Sequence, residues 1–376
     1  MKDSGVRPGD ERELAEAVRG ATGTLSIRGG GTRAPAIEGA AVLETGGLAG
    51  IRLYEPGALT MVAGAGTPLA EVEAALAVEG QRLAFEPMDH RGLMGSAGEP
   101  TIGGVVAGNV SGPRRIQVGA CRDFLLGVRF VDGSGTVVAN GGRVMKNVTG
   151  YDLVKLMAGS HGTLGVLSEV AFKVLPAPET AATLVIEGLD DDRAVAALTR
   201  ALCSPYEVTG AAHLPGEGAR TLIRIEGFEG SVAYRAVRLT ALLTEFGAVA
   251  VERDPARVAA LWRAVRDAEP FHGCAGDVWR ISVKPTDGPE VVRRIGARAV
   301  LYDWGGGLVW ALVAEGTDIR PRLANRRAHS TLMRAGAATR ARIPAFSPEP
   351  TAVAALARGL RARFDPRGIL NRGRMG

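Results

Sequence analysis

The chain has 376 residues, of which 46% are hydrophobic, 23% are charged and 52 are glycine. This length suffices for two or three domains that each bury a core, and the composition excludes a disordered or fibrous protein. The formal net charge is only +5, and aromatic residues are not interleaved with the arginines, so we expect no nucleic-acid partner.

The cysteines and the apolar runs bear on the cellular compartment. Cys121, Cys203 and Cys274 lie far apart in the sequence, which excludes a disulfide framework and a metal-binding Cys-x-x-Cys pair. The N-terminus has no apolar signal core, and no run approaches the ~20 apolar residues of a membrane span. We therefore expect a cytoplasmic protein.

The first predicted elements surround a glycine loop. The spacing predicts a helix from Glu11 to Gly20 and strands at Leu25 to Arg28 and Ala41 to Glu44. Between the strands, residues 29–34 match a Rossmann fingerprint, but Pro35 follows where that fingerprint needs a helix. The loop can still present backbone N–H groups to a phosphate, and a plain turn is the alternative.

The stretch from Pro100 to Pro176 alternates glycine turns with apolar strands. Residues 101–107 contain two glycines and lead to a second loop of potential hydrogen-bond donors, which includes Asn109 and Gly112. Asp132-Gly133-Ser134-Gly135 predicts a hairpin turn. Because glycine lets the backbone approach a bound anion closely, this stretch predicts a cofactor site.

After Pro176 the sequence loses its glycine loops and reads as alternating strands and amphipathic helices. Gly305-Gly306-Gly307 predicts a hairpin, so we expect an antiparallel sheet with helices on one face. The helix at 351–364 carries Leu356 and Leu360, which predict a face that is buried. The predicted domains are 1–176 with lobes at about 1–85 and 100–176, a cap at 177–343, and a tail at 344–376 that returns to the first domain.

Several short motifs, in this order and spacing, resemble the FAD-binding fold of the vanillyl-alcohol oxidase and D-lactate dehydrogenase family, which has a PCMH-type domain. They are Arg28-Gly29-Gly30-Gly31-Thr32, Pro100-Thr101-Ile102-Gly103-Gly104, Gly150-Tyr151-Asp152-Leu153, Gly159-Ser160-x-Gly162-Thr163-Leu164-Gly165 and Phe364-Asp365-Pro366. The resemblance extends to the FAD-binding accessory subunits of bacterial glycolate oxidases through Trp279-Arg280-Ile281-Ser282 and Asn371-x-Gly373-Arg374-Met375.

This resemblance implies an α+β protein, in which a two-lobed FAD-binding domain of the vanillyl-alcohol oxidase type carries an α+β cap with an antiparallel sheet. The implied FAD-binding residues are Arg28, Gly29, Gly30, Gly31, Thr32, Pro100, Thr101, Ile102, Gly103, Gly104, Asn109, Gly112, Gly165, Val166 and Asn371. Among them, residues 29–32 would hold the pyrophosphate and residues 100–104, 109 and 112 the flavin and its ribityl chain. Gly165 and Val166 would face the adenine, and Asn371 the isoalloxazine.

The resemblance also implies an FAD-dependent oxidoreductase that acts on the CH–OH group of glycolate within a complex. Its partners would be a second flavin-fold subunit and an iron–sulfur subunit that receives the electrons, and the chain would reach the inner membrane only through these partners. Two alternatives stay open: a non-catalytic flavin-binding scaffold or electron relay, and a stand-alone dehydrogenase of a D-2-hydroxy acid.

The cap departs from the family's catalytic members, which carry a His-x-x-His metal pair and a Glu-His-Gly run. The five histidines, at 90, 161, 213, 272 and 329, are scattered, so we expect no metal. The catalytic residues are unknown, and the candidates for carboxylate binding are Arg280 and His329. Arg280 lies on a predicted strand whose neighbours Trp279 and Ile281 point the other way.

The alternatives for these two residues are a structural ion pair for Arg280 and a solvated face of a basic helix for His329. His161 replaces the family's usual glutamate and is either a flavin-side group or a turn residue. Arg143 and Lys146 lie close in sequence to the predicted flavin loops, where a positive charge would stabilise a reduced, anionic flavin.

Overall fold

The computed structural model describes residues 5–143, 150–324 and 326–375. Its strands, in chain order, are β1 (Leu25–Arg28), β2 (Ala41–Glu44), β3 (Ile51–Glu55), β4 (Thr60–Gly64), β5 (Gln81–Arg82), β6 (Leu125–Val131), β7 (Val137–Gly141), β8 (Val166–Lys173), β9 (Leu175–Pro176), β10 (Thr180–Glu187), β11 (Gly210–Leu214), β12 (Arg220–Gly227), β13 (Val249–Glu252), β14 (Asp277–Ser282), β15 (Ala299–Asp303), β16 (Leu308–Val313) and β17 (His329–Arg334).

The helices differ widely in length, from single turns to fifteen residues. They are α1 (Glu11–Gly20), α2 (Leu69–Val78), α3 (Arg91–Met94), α4 (Ile102–Ala107), α5 (Arg115–Val118), α6 (Cys121–Phe124), α7 (Leu153–Met157), α8 (Asp191–Leu202), α9 (Glu229–Leu243), α10 (Pro255–Arg266), α11 (Gly288–Ile295), α12 (Ala337–Arg342) and α13 (Thr351–Phe364).

The first compact unit comprises residues 1–111, 120–177 and 348–376. Its five-stranded antiparallel sheet has the order β3-β4-β8-β6-β7, and β1 and β2 form a separate parallel pair. Helix α1 begins where the Asp10 carboxylate accepts the Glu13 N–H at 2.8 Å. Leu14 and Val18 of this helix pack with Leu370 of the C-terminal tail in one apolar cluster, so the tail belongs to the core of this unit.

The second unit comprises residues 112–119 and 178–347. Its described strands form one eight-stranded antiparallel sheet in the order β13-β10-β12-β11-β15-β16-β14-β17. Two apolar clusters cover this sheet, one including α8 and α9 and the other including α11. Residues 112–119 are distant in sequence from the rest of the unit, so tertiary contacts alone place them here.

The predictions of individual elements have mixed outcomes. The predicted bounds of α1, β1 and β2 are confirmed to the residue, and residues 305–307 join two antiparallel strands as expected. Residues 102–107, predicted as part of a turn and loop region, form α4 instead, because the Thr101 side chain accepts the Gly104 N–H at 3.2 Å and caps a helix.

Two further expectations were wrong. His329 does not lie in a basic helix: it begins strand β17, where it pairs with Ser282 and is exposed. Helix α13 buries none of its residues, and Leu356 is 71% exposed. The chain instead packs against β6 where this helix ends, because the centroid of the Phe364 ring lies 6.1 Å from that of the Phe130 ring.

Within the described residues, no helix combines the length and the apolar character needed to cross a bilayer.

Candidate functional site

The loop after β1 and the segment before α4, both predicted to bind FAD, lie in direct contact. A Cβ added to Gly30 would lie 1.5 Å from the Glu99 carbonyl oxygen, and one added to Gly29 would lie 2.3 Å from the Thr101 hydroxyl oxygen. Gly98 approaches as closely, because its Cβ would lie 1.7 Å from the Gly30 carbonyl oxygen. Only glycine permits this approach of two backbone segments.

Asn371 joins the end of β1 to the loop around His161. Its side-chain oxygen accepts the Ile27 N–H at 2.8 Å, and its side-chain nitrogen donates to the His161 carbonyl at 2.8 Å. The His161 N–H in turn donates to the carbonyl of Ala107, in the last turn of α4, at 2.9 Å. The tail, the glycine loop after β1 and α4 therefore meet in one place, although they are far apart in sequence.

This place carries hydrogen-bond donors that the described part of the protein leaves without acceptors. None of the backbone N–H groups of residues 29–32 donates a hydrogen bond to another described residue. Within the same ranges, the buried Arg28 Nε and Ser160 Oγ have no hydrogen-bond partner. Consecutive free N–H groups together with a guanidinium form a concave anion site, and a pyrophosphate carries the matching acceptors.

The electrostatics around His161 favour its neutral form. Burial, assisted by the positive charges of Arg33 and Arg374, lowers the pKa of His161 from 6.5 to about 3. The residue has a positive φ of 52°, in the left-handed region that histidine adopts more often than most non-glycine residues. At neutral pH it therefore adds no positive charge to the site, whereas Arg33 and Arg374 do.

Some of the predicted FAD-binding residues support the site through the backbone. The Pro100 carbonyl accepts the Leu69 N–H at 2.7 Å. Ile102 is fully buried, and a Cβ on Gly103 would lie 2.6 Å from the Ala65 carbonyl oxygen. Asn109, with a φ of 47°, accepts the Arg122 N–H at 3.0 Å.

Other predicted residues make contacts that do not involve residues 29–32. Gly112 belongs to the second unit, where its carbonyl accepts a hydrogen bond from Trp304. Gly165 packs against the Phe130 ring, and Val166 is fully buried at the start of β8. Arg143 is exposed, and Lys146 lies outside the described residues.

Arg280 and His329 lie on the same face of the second unit's sheet. Arg280 pairs with Thr331 and Ser282 pairs with His329 across β14 and β17, and residues two apart on a strand share a face. Trp279 and Ile281 are fully buried on the opposite face, and Arg280 is half-buried. This confirms the expected alternation around Arg280.

Sequence reasoning missed four residues that make contacts described above: Ser160, Arg33, Gly98 and Trp304. Ser160 lies inside one of the FAD-family motifs, but the motif does not indicate that its hydroxyl is buried. Arg33 directly follows the glycine loop, and one of its terminal nitrogens donates to the Gly104 carbonyl at 2.7 Å. Gly98 could have been found from its position two residues before the Pro100 motif. No sequence pattern indicates the hydrogen bond from Trp304 to the Gly112 carbonyl, because the two residues are far apart in the sequence.

Comparison with known proteins identifies the family. A family model described as an FAD binding domain matches residues 4–141. The glycolate oxidase subunit GlcE of Escherichia coli (strain K12) is 38% identical over 328 residues, which cover 87% of this chain and 84% of GlcE. This chain belongs to the GlcE family.

Other relatives of this GlcE-family chain match over shorter stretches. The glycolate oxidase subunit GlcD of Bacillus subtilis (strain 168) is 42% identical over 85 residues, 23% of this chain and 18% of GlcD. The D-lactate dehydrogenase of Anaerostipes hadrus is 42% identical over 93 residues, 24% of this chain and 20% of that protein. A solved structure of alkyldihydroxyacetonephosphate synthase aligns with a TM-score of 0.71 at 16% identity, covering 98% of this chain and 76% of the synthase.

The fold is thus of the vanillyl-alcohol oxidase type, as expected from the sequence motifs, and FAD is the cofactor of this flavoprotein. The donors at residues 28–32 and Ser160 fit a group with a pyrophosphate. No group of three or more histidine, cysteine or acidic residues that could hold a metal ion occurs in the ranges that the structure describes.

Proposed function

We propose that this chain is the FAD-binding subunit of a complex that oxidises glycolate to glyoxylate and passes the electrons to an iron–sulfur partner subunit. The observation that carries the proposal is the 38% identity to GlcE over 87% of the chain. The match to GlcD supports a second flavin-fold subunit as partner. The chain has only three cysteines, too few for a Cys₄ cluster, so we assign the iron–sulfur centre to another polypeptide.

In this proposal the chain's own residues hold and orient the cofactor. The N–H groups of residues 29–32 and the Arg28 guanidinium bind the pyrophosphate, and Asn371 locks the tail onto the site through its two hydrogen bonds. FAD, when bound there, would supply the two-electron oxidising chemistry that the carbinol carbon needs. Because His161 is neutral, Arg28, Arg33 and Arg374 supply the positive charge there.

The test uses the complex assembled from this chain, a GlcD-type subunit and the iron–sulfur subunit. Under anaerobic conditions, glycolate should bleach the oxidised flavin band and yield one glyoxylate for each pair of electrons delivered to an added acceptor. A complex without this chain should lose most of that activity. Full activity without this chain would contradict the proposal, as would an FAD-loaded complete complex that leaves glycolate unchanged.

A second candidate function is electron relay or scaffolding, with the GlcD-type subunit oxidising the substrate. It is supported by the cap, whose sequence lacks the His-x-x-His and Glu-His-Gly runs. The FAD-loaded chain alone separates the two. Bleaching by glycolate without partners assigns the oxidation to this subunit, whereas bleaching only in the complete complex assigns the relay role. Turnover by the isolated chain with D-lactate but not glycolate would favour a stand-alone D-2-hydroxy acid dehydrogenase.

A further inference from the structure

Helix α13 turns its small side chains toward the first unit and its large ones toward solvent. Ala354 and Ala357 are half-buried, whereas Val353, Leu356 and Leu360 are 47%, 71% and 43% exposed. A helix whose apolar stripe is covered by its own chain has the opposite arrangement, with the leucines inside. The exposed side chains recur at i, i+3 and i+7, so they form one stripe along the helix.

The same helix carries positive charge that no residue on it balances. Arg358, Arg361 and Arg363 lie within residues 351–364, which contain no aspartate or glutamate. Their guanidinium groups make no hydrogen bond or ion pair with any residue that the structure describes. A guanidinium stays protonated, and its planar fork of five N–H donors fits a carboxylate. The helix therefore presents an apolar stripe together with cationic donors that are open to a partner.

These features match a groove on another protein better than a lipid bilayer. Anchors at i, i+3 and i+7 are the pattern with which a helix docks into a groove. The exposed positions beside the stripe are small, namely Ala352, Ala355 and Gly359, so a partner can approach the helix closely. A bilayer rewards apolar area, of which alanine and glycine offer little. The complementary groove has an apolar floor bordered by carboxylates.

A second copy of this chain does not supply that groove through the same helix. A contact with two-fold symmetry buries the same surface of both copies, so α13 would face α13. Each helix would then bring three arginines and no carboxylate to the contact, and like charges repel each other. The charge of the helix therefore favours a different polypeptide as its partner.

The position of α13 in the chain connects it to the FAD site. Shortly after the helix ends at Phe364 comes Asn371, whose side chain bonds to the Ile27 N–H and the His161 carbonyl. The intervening residues span at most ~25 Å, so a protein docked at the end of α13 lies beside the cofactor site. In the proposed function this protein is the iron–sulfur subunit, because it receives the electrons. Clusters held by cysteine thiolates carry net negative charge, which adds to the attraction.

We propose that α13 is the docking helix for the iron–sulfur subunit, with Leu356 and Leu360 seated in an apolar groove and Arg358 and Arg363 facing carboxylates at its borders. The identity of the partner rests on the proposed function, whereas the docking surface rests on the exposure and the charge of the helix.

The test measures the Kd between the FAD-loaded full chain and the iron–sulfur subunit with its clusters, by biolayer interferometry under anaerobic conditions. Leu356→Gln/Leu360→Gln removes the apolar anchors and keeps the helix, because glutamine and leucine have similar helix propensities. This double variant should weaken binding about 10- to 100-fold. The matched control is Val78→Gln, which replaces a side chain that is 83% exposed on α2 of the same unit, and it should bind as the wild type does. FAD content and melting temperature should stay at wild-type values in both variants.

The charges are tested with Arg358→Gln/Arg363→Gln. At an ionic strength of ~0.02 M this variant should bind about 10-fold more weakly than the wild type, mainly through slower association. At ~0.5 M the two should differ by less than about 2-fold, because salt screens exposed charges. The matched control is Arg12→Gln/Arg52→Gln, which removes two exposed arginines from the same unit. An equal loss of affinity in both double variants would contradict the role of the α13 arginines.

Three results would overturn the inference. The first is an equal Kd in Leu356→Gln/Leu360→Gln and Val78→Gln. The second is a loss of affinity confined to the GlcD-type subunit when it is measured in the same way. The third is a chain that dimerises in analytical ultracentrifugation, or binds vesicles of phosphatidylglycerol and phosphatidylethanolamine, only while Leu356 and Leu360 are present, since a second copy or a bilayer would then be the occupant.

Glyoxylate formation by the complete complex separates this inference from the proposed function. A complex that oxidises glycolate and binds the iron–sulfur subunit equally well with Leu356→Gln/Leu360→Gln would refute the docking surface and leave the proposed function standing. Binding of that subunit that depends on Leu356 and Leu360, in a complex that leaves glycolate unchanged, would refute the function and leave the docking surface standing.

Discussion

Gly30 illustrates how a single residue permits the cofactor site. Its Cα lies so close to the neighbouring segment that an added Cβ would lie 1.5 Å from the Glu99 carbonyl oxygen. A backbone atom cannot move aside as the end of a flexible side chain can. Any other residue at position 30 must therefore push the glycine loop away from the segment before α4. The N–H donors of residues 29–32 would move with the loop.

We expect Gly30→Ala to abolish FAD retention, because separating these segments misplaces the N–H groups that hold the pyrophosphate. The measurement is the ratio of FAD to protein after dialysis, with the Kd from flavin fluorescence. The control is Gly23→Ala, where an added Cβ meets no atom within 4 Å, and which should retain FAD normally. Wild-type FAD affinity in Gly30→Ala would show that the loop is only a turn.

The low pKa of His161 predicts that the stability of the fold depends on pH. Its pKa is about 3 in the folded chain against 6.5 ordinarily, so the unfolded chain binds the proton first as the pH falls. The free energy of unfolding should therefore decrease below pH 6.5, by about 1.5 kcal/mol at pH 5. His161→Asn, which tolerates the positive φ, should lack this decrease.

The measurement is denaturant unfolding of the FAD-free chain at pH 6.5 and pH 5, so that bound phosphates do not add their own charge. Parallel loss of stability in the wild type and in His161→Asn would contradict the assignment of the effect to His161.

At the scale of elements, α1 and α13 have similar apolar spacing and different roles. Leu14 of α1 is fully buried in the core of the first unit, whereas Leu356 of α13 is 71% exposed. Apolar periodicity reports a face that favours burial, but it does not say whether a neighbouring element covers that face.

Leu14→Ala should accordingly lower the free energy of unfolding of the first unit by about 2–5 kcal/mol, through lost burial and a cavity. Leu356→Ala should change it by less than about 0.5 kcal/mol. Denaturant unfolding followed by FAD release compares the two variants directly. A cost for Leu356→Ala that approaches the cost for Leu14→Ala would show that α13 is covered in solution.

At the scale of the whole molecule, the chain leaves the first unit at residue 112, joins the second for eight residues and returns at residue 120. The buried ion pair between Arg114 and Glu226, with Arg224 3.4 Å from the same carboxylate, attaches this excursion. Removing Glu226 takes away the carboxylate that lies between two buried guanidinium groups, whereas removing Arg114 leaves Arg224 beside that carboxylate.

Glu226→Gln should therefore destabilise the second unit by roughly 3 kcal/mol, and Arg114→Gln should cost less, because Arg224 still pairs with Glu226 in that variant. Hydrogen exchange should show the loss of protection in β10 and β12, with β4 and β8 of the first unit unaffected. A loss shared equally by both sheets, or an Arg114→Gln variant less stable than Glu226→Gln, would contradict the prediction.

The cofactor and the fold class could be predicted through the resemblance of several short motifs to a known FAD-binding fold, and each motif can be recognised because it consists of neighbouring residues. A backbone that approaches another backbone needs glycine, and a strand followed by a turn and a second strand can be recognised from neighbouring residues alone. The bounds of α1, β1 and β2 could be predicted because capping and apolar periodicity depend only on neighbouring residues. Helix α4 was not predicted, because its glycines suggested a turn. The Thr101 side chain caps this segment and thereby stabilises a helix.

The sequence by itself thus determined the glycine loops that can hold an anion, and the resemblance of its motifs to a known family predicted an α+β flavoprotein that binds FAD. Only the tertiary structure decided where Gly112 lies, that α13 stays exposed, and that Arg115 and Arg280 meet at the indole of Trp304. The Trp304 hydrogen bond that organises this cluster spans 192 positions of the chain. No local pattern encodes such a contact, because it forms only when the sheet and the segment at 112–119 have folded together.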